Sequence, residues 1–97
     1  MGVKISVIKN VQLEDIIKEY GEGVEVVCPK AQVGQEWIVK DSPDKPEGFC
    51  SWAWADLHKD IIALLTGGNY PFMKKPGTAI ACCTDGMRPV IFKLERV

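Results

Sequence analysis

No apolar run in the chain approaches the roughly 20 residues that a membrane helix needs, so no transmembrane segment is expected. No cluster of Lys and Arg occurs either. The 12 basic residues are balanced by 13 acidic ones, and the net charge is −1. A nucleic-acid surface or a polybasic membrane patch therefore has no footing. No C-x-x-C pair occurs among the four cysteines, which removes the zinc-ribbon and thioredoxin patterns. Histidine occurs once, at His58, and no serine has a histidine and acid partner recognisable by motif. Gly67-Gly68 is not followed by the lysine and threonine of a phosphate loop, and the pair closes a helical segment instead of opening one. No apolar leader stands at the start, where Val3, Ile5 and Val7 alternate with Lys4 and Ser6. Gly2 and Ser6 match the spacing of an acylation signal, but they read better as the start of a strand. The expected compartment is cytoplasmic and reducing, so the cysteines read as thiols or ligands and not as disulfides.

What is present suits one domain, residues 1–97. Residues 3–9 alternate with period two and predict a strand. Leu13, Ile16, Ile17 and Tyr20 form one helical stripe, with Gly21 as a natural stop. Glu14, Asp15, Glu19 and Glu22 are charges on that helix's surface, without a pairing that suggests acid–base chemistry. Residues 24–28, ahead of Pro29, read as a short strand. Beyond Gly34, residues 36–40 place Trp37 and Val39 on one face. Residues 41–48 are a solvated loop rich in proline and charge. Ser51 is the expected N-cap of a helix running to about Thr66, with Trp54, Leu57, His58, Ile61, Leu64 and Leu65 on one face. Asp85-Gly86 lies between two apolar runs and predicts a hairpin with a two-residue turn and Gly86 at positive φ. The expected fold is α+β: a small, mostly antiparallel sheet with two helices packed on one face and a C-terminal β-hairpin.

Several stretches together resemble a family of small proteins of about this length. They are Cys28-Pro29, residues 33–39 (VGQEWIV), 47–54 (EGFCSWAW), 67–73 (GGNYPFM) and 77–96. The members of that family come largely from anaerobic bacteria and archaea, and no activity is assigned to it. The resemblance implies no catalytic residues, so the chemistry has to come from the side chains.

Cys28, Cys50, Cys82 and Cys83 are soft donors, and a thiolate-bound metal held by these four is one expectation. Cys50 and His58 do not pair on one metal, because eight helical residues span about 12 Å. His58 reads as a core-edge residue. Cys50 precedes the first turn of the long helix, where free N–H groups favour a thiolate and burial against Trp52 opposes it. Trp52 and Trp54 point about 200° apart around that helix. Trp54 belongs to the apolar stripe, while Trp52 must find cover from a loop, a ligand or a second subunit. With a two-residue turn Cys83 lies opposite Arg88, Cys82 opposite Pro89 and Ala81 opposite Val90. Cys83 then faces inward with Ala79 and Ala81. Cys82 faces outward with Ile80 and Ile91, an apolar patch that a homodimer would cover.

Cys50, Trp52, Cys83 and Arg88 are accordingly the expected ligand-binding set. The leading expectation is a non-catalytic binding module for a metal or small ligand. A thiol redox enzyme using Cys50 or Cys83 is the alternative, and a structural or protein-interaction domain with Trp52 at an interface is the third.

Overall fold

The computed structural model describes residues 1–97. The elements are β1 (Val3–Asn10), α1 (Glu14–Tyr20), β2 (Glu36–Val39), α2 (Ser51–Leu65), β3 (Thr78–Cys82) and β4 (Val90–Arg96). The strands form one antiparallel sheet in the order β2-β1-β4-β3. The α+β class, the antiparallel sheet and both helices are as expected.

Period-two alternation sorts the strands into two faces. Val3, Ile5, Val7, Val39, Ala79, Val90, Phe92 and Leu94 are buried on one face. That face meets Ala53, Leu57, Ile61 and Leu64 of α2 in a single core. At about 1.5 Å per residue, the 15 residues of α2 span roughly 22 Å, enough to cross β3, β4 and β1. The seven residues of α1 bury none of their side chains and pack on no strand, so one helix, not two, covers the sheet. Ile16 and Tyr20, expected in a packed stripe, are exposed.

The buried line of α2 runs through Ala53, Leu57, Asp60, Ile61 and Leu64. It lies about one residue N-terminal to the expected stripe. Trp54 is therefore only half-buried, and His58 is exposed beside it with ring centroids 5.6 Å apart. The aromatic centre of the core is instead Phe49. It meets Trp37 edge-on at 4.8 Å, Trp54 at 6.1 Å and Phe92 at 5.6 Å. The Lys45 ammonium donates to the Phe49 carbonyl at 2.8 Å, which ties the proline-rich loop to this anchor.

Three local expectations fail. Residues 24–28 form no strand. Pro29 follows them, and the free edge of β1 is already taken: Gly34 N–H and Gln35 C=O bond to Val7, and β2 pairs from Ser6 back to Val3. The N-cap of α2 is Cys50 instead of Ser51, with no side-chain hydrogen bond to the first turn. The hairpin closes through residues 83–89 and not through a two-residue turn, since Ala81 pairs with Phe92 and Cys82 with Ile91. Gly86 does not adopt positive φ. Asp85 explains the longer connection. Its Oδ1 accepts the N–H groups of Met87 at 2.9 Å and Arg88 at 3.2 Å, so the side chain satisfies donors that a tight turn would have paired across the hairpin.

Candidate functional site

The β3–β4 connection folds back against the first turn of α2. The indole N–H of Trp52 donates to Thr84 Oγ1 at 2.9 Å. Asp56 accepts the Thr84 backbone N–H at 2.7 Å and its hydroxyl at 3.0 Å. One turn of helix spacing puts Trp52 and Asp56 on the same side of α2. The pair clasps Thr84, but the connection gives Trp52 a hydrogen bond and little cover: the residue remains 60% exposed.

Beside this clasp lies a cavity of about 160 Å³ lined by Cys28, Lys30, Cys50, Trp52, Ala53, Cys83, Asp85 and Arg88. The expected set of Cys50, Trp52, Cys83 and Arg88 is thus brought to one place, with Cys28 added from the segment before Pro29. Arg88 is held from two sides: its Nε donates to Asp85 Oδ2 at 3.4 Å and its Nη1 to the Glu25 carbonyl at 3.3 Å. Burial pushes the Asp85 carboxyl up, but the Met87 and Arg88 N–H groups and the guanidinium outweigh it and hold the pKa below the usual range. The lining thus carries two cations, Lys30 and Arg88, against one carboxylate that is already paired.

The four thiols are free. Cys83 packs against the core, and its sulfur accepts the Val90 N–H at 3.3 Å. Cys82 is exposed on the opposite face of β3, where its Sγ donates to the Cys83 carbonyl at 3.0 Å. The partial burial of its sulfur, then the neighbouring Cys83 and Asp56, push its pKa up. The expected metal set of Cys28, Cys50, Cys82 and Cys83 therefore loses Cys82, which period-two alternation turns away. No group of three or more His, Cys, Asp and Glu side chains is placed to hold a metal ion. His58 stays with Trp54, outside the cavity.

Two lining side chains lay outside the expected set. Asp85 was legible as a turn residue, since Asp commonly bonds backbone N–H groups two and three residues on. Lys30 carried no signal except adjacency to Cys28-Pro29. No family model, no curated protein and no solved structure matches the chain. No helix is long and apolar enough to cross a membrane.

Proposed function

We propose that the protein is a non-catalytic binding module whose site is the cavity between the first turn of α2 and the β3–β4 connection. The observation that carries this reading is convergence. Three stretches remote in sequence, around residues 28–30, 50–53 and 83–88, line one cavity. A volume of about 160 Å³ lies below the range of about 300–1,000 Å³ usual for drug-sized ligands, so the ligand has only a handful of heavy atoms. Lys30, Arg88 and the uncapped first turn of α2 favour a neutral ligand or a small monoanion. Trp52 and Ala53 offer its apolar part a wall. A soft metal ion is the variant of this reading in which Cys28, Cys50 and Cys83 draw together around it.

The test is thermal denaturation under reducing conditions with acetate, glycolate, phosphate or Cd²⁺ added singly. A ligand of this site raises the midpoint. The rise is lost in Arg88→Gln for an anion and in Cys50→Ser for the metal, and survives in Cys82→Ser. A rise abolished by Cys82→Ser, or none with any probe, counts against the reading. Cys50 and Cys83 on one cavity is also what a thiol redox enzyme needs. That alternative predicts a Cys50–Cys83 disulfide after peroxide treatment, reversed by dithiothreitol.

A further inference from the structure

A second concave surface shares no residue with the cysteine cavity. A groove of about 370 Å³ runs between the 69–76 loop and the uncovered face of the sheet, lined by Phe72, Met73, Lys74, Lys75, Thr78, Lys93 and Glu95. Two features of it need an explanation. Phe72 is 79% exposed, the most exposed large apolar side chain in the molecule. Its ring nonetheless touches one that is held in place. Tyr70 lies beside it with centroids 5.4 Å apart, and the Tyr70 hydroxyl donates to the buried carboxylate of Asp60 on α2. That bond, with burial and the Asp60 charge, pushes the Tyr70 pKa up to about 12, so the anchor is protonated at any ordinary pH. The second feature is charge. Glu95 is approached by three ammoniums, Lys4 at 3.4 Å, Lys93 at 3.4 Å and Lys75 at 3.8 Å. One carboxylate cannot neutralise them, and Lys74 adds a further cation to the same groove without an acidic partner. Lys4 is shared with Glu36, whereas Lys75 and Lys93 have Glu95 alone and Lys74 has no carboxylate.

We infer that this groove binds a small aromatic anion of the nucleoside monophosphate class. The flat ring stacks on Phe72, and the phosphate meets the ammoniums of Lys74, Lys75 and Lys93. An aromatic face accepts any base, and lysines read phosphate as a charge, so base identity matters little. The groove has the volume of a small-ligand site, and the Tyr70 ring that backs Phe72 is anchored before the ligand arrives.

The test is an NMR titration of the ¹⁵N-labelled protein with AMP, adenosine and inorganic phosphate in parallel. Shifts should concentrate at Phe72–Lys75, Thr78 and Lys93, and AMP should bind more tightly than either of its parts. Phe72→Ala should weaken AMP about tenfold, since stacking is the sequence-tolerant share of such binding. Lys74→Gln with Lys93→Gln should weaken it and flatten its salt dependence. These are surface positions, and the spectrum of each free variant reports whether it is folded. The inference is overturned if AMP binds no better than phosphate or adenosine, if Phe72→Ala leaves its affinity unchanged, or if the shifts fall on the residues around Cys50 and Arg88. Self-association of the free protein that Phe72→Ala abolishes would equally overturn it, by giving Phe72 a protein partner.

Discussion

The two ends of α2 are finished in opposite ways. At the C-terminal end the last carbonyls are spoken for. Thr66 Oγ1 donates to the Ile62 carbonyl at 2.8 Å. Arg96 donates to the carbonyls of Leu64 at 3.0 Å and Gly68 at 2.7 Å, and to Asn69 Oδ1 at 2.7 Å. Gly67 takes φ +89° and turns the chain away. At the N-terminal end no side chain caps the first turn. The polar side chains there, Trp52 and Asp56, bond outward to Thr84 instead of inward to the helix. A helix end that is left open beside a cavity costs stability unless something else meets its N–H groups. The C-terminal end is closed by the fold itself, and the N-terminal end is the one at which the proposed ligand would sit.

The largest effect expected from this contrast is at Arg96. Arg96→Ala strips charged donors from two carbonyls and should cost about 1.5–3 kcal/mol in urea denaturation. Arg96→Lys should recover only part, because an ammonium lacks the planar fork. Next comes Gly67→Ala, which forces a side chain into the left-handed region and should cost about 1–2 kcal/mol. At the open end, Trp52→Ala removes one hydrogen bond and an exposed ring and should cost about 0.5–1.5 kcal/mol. If Trp52→Ala proved worse than Arg96→Ala, the two ends would have exchanged roles.

Asp85 sharpens the comparison through pH. Its folded pKa lies below the usual carboxylate value, so its contribution is present above the unfolded pKa and lost as pH falls through the folded one. Urea midpoints followed from pH 6 down to about pH 2 should decline less steeply in Asp85→Asn than in the parent. Glu95 has the same sign, since burial is outweighed by Lys93 and Lys4, and it keeps some acid sensitivity in the variant. The smallest effect is at Gly86. Its φ is not positive and an added Cβ would meet nothing within 4 Å, so Gly86→Val should be close to neutral.

Much of this was legible in the amino-acid order. Alternation in residues 3–9 carries period and face together and holds in β1, whereas the long helix keeps its period but buries a face turned by about one residue. The placement of Cys83 inward and Cys82 outward also survived, although the connection was longer than expected. A register shift of two residues preserves every face, whereas a shift of one would have reversed them. The misses arise where tertiary contacts decide. Residues 24–28 have strand-forming side chains, but Pro29 follows them and residues 34–39 already occupy the edge of β1. Phe49 follows Gly48 in a charged loop and has no periodicity to mark it, yet it anchors three aromatic rings. The phase of α2 was drawn by its tryptophans, while burial follows the smaller Ala53 and Leu57. The cavity itself needs the return of residues 28–30 to α2, which no local pattern encodes.

The claim that three thiols share one small cavity while the fourth lies outside it can be read directly. N-ethylmaleimide is added in modest excess to the native, reduced protein, and the adducts are counted and located by mass spectrometry. One maleimide at Cys28, Cys50 or Cys83 fills much of the cavity and shields the other two. The native protein should therefore take up two adducts, one at Cys82 and one in the cavity, and reach four only on unfolding. Independent labelling of Cys28, Cys50 and Cys83 in the native state, or a Cys82 slower than all three, would contradict the shared site.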